Sequence, residues 1–314
     1  MSTDAKFEPS DLAKKLYAEH QKLQPSPPTD LSKPLIDLSK MDQAHYPHFK
    51  PHIFLIEDMA ETLSRPGPSR SLQSVQQVIA SHSRTDLHTP TADSVILTLG
   101  EDEAAASLIR AMCESGDNVV VVSPGNAKFS AICHAHGVQV KELVLSYEST
   151  ESKPNASGQE TQTDTWNYDF QSLAKLIDQK TKFLYILNPN WSIGQLLSEK
   201  TVKELITVGE DRQIPIIVDE TFSSFPWPNQ KIHRFGNYNK KTPVISINSA
   251  SRLFGLSGVN FGWIVFYGDP DCFSELIPYL NRGRDSVISV DNVMRNCIEL
   301  CWETIDKVSF FLLL

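Results

Sequence analysis

Residues 94–122 read SVILTLGEDEAAASLIRAMCESGDNVVVV, and they say most about the fold class. The two ends of this stretch, Ser94–Leu99 and Asn118–Val122, are short and almost continuously apolar. Strands covered on both faces have this composition, whereas strands with one solvated face alternate apolar and polar residues. Between them, Glu101–Cys113 has apolar residues at helical spacing behind three acidic residues that favour a helix N-terminus. The stretch therefore predicts a strand, a helix and a strand of an α/β fold.

The same alternation continues along the rest of the chain. Further strands are predicted at Val138–Leu145, Phe183–Leu187, Pro215–Val218, Val244–Ile247 and Trp263–Phe266. Helices are predicted at Ala127–His136, Phe170–Ile177, Glu199–Asp211, Phe273–Leu280 and Val290–Ile305. Short apolar runs separated by helical spans are typical of a mostly parallel sheet flanked by helices.

The remaining segments suggest how the chain is divided. Residues 1–52 contain a predicted helix over 7–24 and a Pro-rich stretch with a strand candidate at Pro34–Leu38, which together form an N-terminal arm. Residues 53–305 form the main domain, which begins with helices predicted over 53–64 and 71–83 and carries a loop insertion at 146–167. That insertion is rich in Ser, Thr, Glu and Gln, so a solvated loop is expected. Residues 306–314 form an atypical apolar tail.

Composition excludes several classes of protein. The chain has 314 residues and a formal net charge of -9, with no basic stripe for nucleic acid. No apolar run reaches membrane-spanning length and no signal peptide is evident, so a cytoplasmic protein is expected. The five cysteines include no C-x-x-C pair, which favours reduced thiols. His45, His48 and His52 are close in sequence but match no metal motif, so no metal site is expected.

Residues 249–263, SASRLFGLSGVNFGW, resemble the cofactor-lysine segment of fold-type-I aminotransferases that use pyridoxal phosphate (PLP). Asn188-Pro189 with Gly194, and Ile217–Glu220, are similar to two further motifs of this family. The resemblance covers residues from about 10 to 305 and is to the tyrosine and alanine aminotransferase type. It implies the large-domain fold of PLP-dependent transferases, PLP as cofactor, and a homodimer with the active site at the interface.

The resemblance puts Arg252 at the position of the family's cofactor lysine, so no catalytic residue is assigned. That lysine forms an imine with the cofactor aldehyde, which requires an amine that can lose a proton. A guanidinium stays protonated and is a poor nucleophile. Ser249 and Ser251 match the serines of the same motif, and Asn260 stands where the family has an arginine that reaches the phosphate.

The other cofactor positions implied by the resemblance are also altered. Asp219 matches the aspartate that pairs with the pyridine nitrogen, but Phe222 replaces a tyrosine that bonds the phenolic oxygen. Asn188 keeps its motif, whereas Trp191 replaces the asparagine that contacts cofactor and substrate, and Asn126 lies where a stacking aromatic is usual. In the phosphate turn Gly100 remains, but Glu101 and Asp102 follow it and repel an anion.

The chain ends soon after the predicted helix Val290–Ile305, whereas members of the resembled family continue well beyond it. Most of the small domain and the substrate-binding arginine lie in that continuation, so the small domain is expected to be incomplete. The leading hypothesis is a pseudoenzyme that acts through binding or association with an unidentified partner, in which Arg252 pairs with Asp219. The alternatives are a residual PLP enzyme that recruits another lysine, with Lys240 and Lys241 nearest in sequence, and a non-functional truncated isoform.

Overall fold

The computed structural model describes residues 10–22, 72–149, 153–154, 160–161, 164–223, 231–254, 260–287 and 301–302. Its strands are β1 (Val95–Thr98), β2 (Asn118–Ser123), β3 (Gln139–Val144), β4 (Ser146–Ser149), β5 (Lys153–Pro154), β6 (Glu160–Thr161), β7 (Asp164–Asn167), β8 (Thr181–Leu187), β9 (Ile216–Asp219), β10 (Val244–Ser249) and β11 (Gly262–Tyr267). Its α-helices are α1 (Asp11–Lys22), α2 (Leu72–His82), α3 (Gly100–Met112), α4 (Ala127–Ala135), α5 (Phe170–Leu176), α6 (Glu199–Arg212), α7 (Ala250–Leu253) and α8 (Leu276–Val287).

Seven strands form the central sheet, in the order β1-β11-β10-β9-β8-β2-β3. Neighbours from β10 to β3 are parallel, while β11 runs antiparallel to both β10 and β1. Because β11 reverses between them, β1 points the same way as the parallel strands. The carboxyl ends of β1, β2, β8, β9 and β10 therefore lie at one edge of the sheet, the edge at which open α/β sheets bind their ligands.

Apolar strand residues alternate between the two faces of the sheet, as strand geometry requires. Val218 packs on one face in a cluster with Leu205 of α6, and Ile217 packs on the other with Leu108 of α3 and Phe129 of α4. Both faces are covered by helices, which explains why the strands carry continuous apolar runs. The predicted mostly parallel sheet flanked by helices is confirmed.

Most predicted elements of the main domain are present, with ends that differ by a few residues. Side-chain caps fix several helix starts: Asn126 caps α4, Asp169 caps α5 and Ser198 caps α6, each accepting hydrogen bonds from backbone N–H groups of the first turn. The short helix α7 was not predicted. It begins directly after β10 and carries Arg252 on its third residue.

The prediction of a loop at 146–167 is wrong in part. Within this segment β4 pairs with β7, and β5 pairs with β6, in antiparallel ladders. Tyr147 lies opposite Trp166, with ring centroids 5.0 Å apart. Aromatic cross-strand pairs stabilise two-stranded ladders. The loop was predicted from the overall polar composition, which does not show that two aromatic residues lie opposite each other.

The helix predicted over Phe273–Leu280 is also misplaced. Asp269 caps a 3₁₀ turn at Pro270–Phe273, and the α-helix begins only at Leu276 and continues to Val287. Several other predictions fall outside the described residues: Pro34–Leu38, 53–64, the histidines at 45, 48 and 52, residues 306–314, and Val290–Ile305 apart from Cys301 and Trp302.

None of the helices within the described ranges combines the length and apolar character that crossing a bilayer requires. The same residues contain no group of three or more His, Cys, Asp or Glu side chains that could hold a metal ion.

Candidate functional site

A cleft of about 220 Å³ opens at the carboxyl edge of the sheet. It lies where the loops after β2, β8 and β9 meet the first turns of α3 and α4 and the short helix α7. Its lining residues are Glu101, Asp102, Asn126, Lys128, Trp191, Asp219, Thr221, Phe222 and Arg252. Seven of the twelve residues singled out in the sequence are among them: Glu101, Asp102, Asn126, Trp191, Asp219, Phe222 and Arg252.

Asp219 is the buried acceptor of the cleft. It ends β9 with only 3% of its surface exposed. One carboxylate oxygen accepts hydrogen bonds from the Thr221 amide and hydroxyl at 3.1 and 2.6 Å, and the other accepts from the Tyr185 hydroxyl at 2.9 Å. Burial raises the pKa of Asp219, and the nearby Glu101 charge adds to that rise, while these hydrogen bonds oppose it. The site therefore favours either a proton or a cation at this carboxylate.

Tyr185 supports Asp219 from beneath the cleft. Burial, with the Asp219 charge beside it, raises the pKa of Tyr185 well above its ordinary value, so its hydroxyl keeps its proton and donates. Its ring stacks on Phe129, with centroids 3.6 Å apart, and its oxygen accepts from the Asn126 side-chain amide at 3.3 Å. These contacts fix the orientation of Asp219.

Arg252 reaches into the cleft with its side chain 15% exposed. One guanidinium nitrogen lies 4.0 Å from a Glu101 carboxylate oxygen, and the guanidinium carbon lies 5.3 Å from the centroid of the Phe222 ring. The predicted ion pair between Arg252 and Asp219 is wrong. Among the described residues, the carboxylate within ion-pair distance of Arg252 is that of Glu101, whereas the Asp219 carboxylate bonds Tyr185 and Thr221. The guanidinium thus has an acid on one side and an aromatic face on the other.

A second cation, Lys128, was not anticipated. It lies in the first turn of α4, and its ammonium hydrogen bonds to Asp102 of α3. Lys240 and Lys241, which were considered from sequence order, precede β10 and so lie at the opposite edge of the sheet. Lys241 is paired there with Glu210 at 2.8 Å. The N-x-K sequence Asn126-Ala127-Lys128 could have indicated the position of Lys128, because the cap at Asn126 fixes the direction of the first turn of α4.

Two aromatic rings form one wall of the cleft. Trp191, from the loop after β8, and Phe222, from the loop after β9, have ring centroids 6.0 Å apart and a tilt of 42°. The sequence analysis also missed Thr221, which lies two residues after Asp219. The D-x-T spacing is typical of an Asp side chain that accepts a hydrogen bond from the backbone N–H two residues on.

Five predicted residues do not line the cleft. Asn188 is buried and donates to the His233 carbonyl at 2.9 Å, while the Ser249 and Ser251 hydroxyls bond each other at 2.7 Å. Asn260 is exposed. Gly100 has a φ of 82°, a left-handed conformation that favours glycine, and opens α3 behind the cleft wall.

Comparison with known proteins identifies the family. The model of the family described as "Aminotransferase class I and II" matches residues 38–298. Human tyrosine aminotransferase is 24% identical over 293 residues, which cover 90% of this chain and 59% of that protein. Nicotianamine aminotransferase 1 of Oryza sativa subsp. japonica is 20% identical and is covered over 53% of its length. The chain thus spans little more than half the length of these curated relatives, and it belongs to the class I and II aminotransferase family.

Solved structures agree on the fold. Tyrosine aminotransferase from Leishmania infantum superposes with a TM-score of 0.77 at 19% identity, covering 97% of this chain and 78% of that one. A PLP-bound structure from Clostridium difficile superposes with a TM-score of 0.64 at 15% identity, covering 80% of this chain and 62% of that one. At these identities the likeness establishes the fold alone. The cofactor that the family resemblance implies is PLP.

The described lining of the cleft does not fit that group. PLP requires an amine for its aldehyde and a neutral or basic cradle for its phosphate. Within this lining the one primary amine is Lys128, which is held by Asp102. The first turn of α3, where the resemblance places the phosphate, carries Glu101, Asp102 and Glu103. Asn260, at the position of the phosphate arginine, is uncharged.

Proposed function

We propose that this member of the class I and II aminotransferase family is a pseudoenzyme that lacks imine chemistry and acts through binding or association. The observation that carries the proposal is Arg252 in the cleft, set between Glu101 and the Phe222 ring. A guanidinium in this setting has no free electron pair to attack an aldehyde. The carboxylates on α3 act in the same direction, because they oppose a phosphate.

We further propose that the protein works in the cytosol and associates with itself. Three cysteines in the described part of the chain, Cys113, Cys133 and Cys272, are free thiols, which supports a reducing compartment. Burial raises the pKa of Cys113 to about 12, so it is a poor nucleophile. A homodimer is supported by the family resemblance alone, and the identity of any other partner is open.

Titration of the purified protein with PLP tests the proposal. An imine between PLP and a lysine absorbs in the visible range, and dialysis then removes cofactor that is not retained. We expect no retained band for the native protein. A saturable band that survives dialysis at one cofactor per chain would refute the proposal.

The structure favours one second candidate, a residual PLP enzyme whose imine forms on Lys128. This lysine is the primary amine that lines the cleft, and its ion pair with Asp102 is largely exposed. Exposed pairs of this kind contribute little, so the amine is available to an aldehyde. If a band is retained, Lys128→Arg should abolish it, whereas Lys241→Arg at the far edge of the sheet should leave it unchanged. Persistence of the band in both variants would point to modification of other lysines and would exclude Lys128 as the imine site.

A further inference from the structure

We propose that the cleft binds a small, flat organic cation without a phosphate group, and that its carboxylates reject phosphorylated ligands. This inference rests on the proposed function, because it assigns a ligand class to the same cleft. Its size sets the first limit. At about 220 Å³ the cleft is smaller than the roughly 300–1,000 Å³ typical of sites for drug-sized ligands. The ligand is therefore about the size of a single substituted ring.

The charges of the lining select a cation. The cleft has three carboxylates, Glu101, Asp102 and Asp219, and two cations, Arg252 and Lys128. Arg252 faces Glu101 and Lys128 bonds Asp102, whereas the hydrogen-bond partners of Asp219 among the described residues are a phenol, a hydroxyl and a backbone amide, all of them neutral. A carboxylate offers about four acceptor positions, and these three bonds leave room for another donor. A cationic N–H group on a ligand would complete the charge balance at Asp219.

The aromatic wall selects a flat shape. Trp191 and Phe222 both line the cleft, and aromatic rings attract both flat rings and cations. The Arg252 guanidinium already lies 5.3 Å from the Phe222 centroid, so the ring is in contact with a planar cation of the protein itself and a ligand would stack beside it, toward Trp191. A ligand with a charged aromatic ring, or an ammonium group next to a ring, combines both requirements.

The same acids oppose a phosphate. A phosphate monoester carries a charge of about -1.5 to -2 near neutral pH. Glu101 and Asp102 occupy the first turn of α3, where backbone N–H groups would otherwise attract an anion. Both cations that could neutralise a phosphate are already beside these acids, so binding an anion would require breaking their ion pairs.

Pyridoxamine and pyridoxamine 5′-phosphate form a matched pair of probes, since they differ by the phosphate alone. Both are amines and form no imine with a lysine, so this test is independent of the PLP titration. The fluorescence of Trp191 reports binding, and Trp191→Phe identifies its share of the signal among the five tryptophans of the chain. We expect pyridoxamine to bind at least about tenfold more tightly than its phosphate ester at low ionic strength, with the preference reduced by salt.

Variants assign the selectivity to residues. Glu101→Gln combined with Asp102→Asn should reduce the preference to less than about threefold, and Asp219→Asn should weaken pyridoxamine binding about tenfold. Glu210→Gln, at the opposite edge of the sheet, should leave the affinity for both ligands unchanged. Tighter binding of the phosphate ester, or no saturable binding of pyridoxamine, would overturn the inference even if the PLP titration shows no imine. A preference that persists in the double variant would also overturn it.

Discussion

Replacing Glu101 with glutamine removes the carboxylate that faces Arg252 and keeps the size of the side chain. The guanidinium nitrogen and the carboxylate oxygen are 4.0 Å apart, and the two side chains are 15% and 27% exposed. At 4 Å and an effective dielectric of about 20, the attraction between unit charges is roughly 4 kcal/mol, which is an upper bound. Removing one member of a well-buried pair costs about 3–5 kcal/mol, and an exposed pair contributes about 0–1 kcal/mol.

Two features reduce the expected loss below that bound. Both side chains are partly solvated, and the Glu101 charge also opposes ionisation of Asp219, so its removal relieves a repulsion. We therefore expect Glu101→Gln to lower the free energy of unfolding by about 1–2 kcal/mol at pH 7. Urea denaturation followed by circular dichroism measures this value, and a cycle with Arg252→Met isolates the pair.

Glu210→Gln is the matched control. Its oxygen lies closer to its lysine, 2.8 Å from Lys241, but that lysine side chain is 77% exposed. If burial decides the strength of an ion pair, the control should lose clearly less stability than Glu101→Gln despite the shorter distance. Equal losses, or a stabilised Glu101→Gln variant, would refute the claim that Arg252 depends on Glu101.

Three further predictions concern the surroundings of the cleft. Burial raises the pKa of Asp219 above its ordinary 3.8, so the folded state binds more protons than the unfolded chain just above pH 3.8. The stability of the native protein is therefore lost as the pH rises through that window. Urea unfolding at about pH 4 and pH 7 should show that Asp219→Asn gains stability relative to the native protein as the pH rises. Gly262→Ala would place its Cβ 2.7 Å from the carbonyl carbon of Gly100, and this overlap of backbone should cost about 1–3 kcal/mol in the same assay. Ser198→Ala removes the cap of α6 and should lower the free energy of unfolding by about 1 kcal/mol. Ser198→Asp keeps a capping oxygen and should retain most of that stability. A pH-independent difference for Asp219→Asn, or unchanged stability in either of the other variants, would contradict these accounts.

The strands were predictable because burial on both faces imposes continuous apolar runs. Ile216–Asp219 and Gly262–Tyr267 are examples, each buried along its whole length. The antiparallel placement of β11 between β10 and β1 was not predicted, since a continuous apolar run carries no information about strand direction. The ladder at 146–149 and 164–167 was missed because polar composition hides the cross-strand contact of Tyr147 with Trp166.

The site was predictable where a motif fixes a position at the end of a strand. Asp219, Phe222 and Arg252 are such residues, and the structure brings all three to one cleft. The partner of Arg252 was not predictable, because it depends on how α3 packs beside α7. Lys128 was missed although it lies two residues after Asn126, because its contact with Asp102 depends on how α3 packs beside α4.

The intact mass of the protein after incubation with PLP and borohydride shows whether any lysine of the cleft forms an imine. Borohydride reduces an imine to a stable amine, so each cofactor bound through a lysine adds its mass permanently. We expect an unmodified mass for the native chain at stoichiometric PLP, because the guanidinium of Arg252 forms no imine. A single added cofactor, mapped by peptide analysis to a lysine of the cleft, would contradict the account and identify an enzyme that has moved its imine to a new residue.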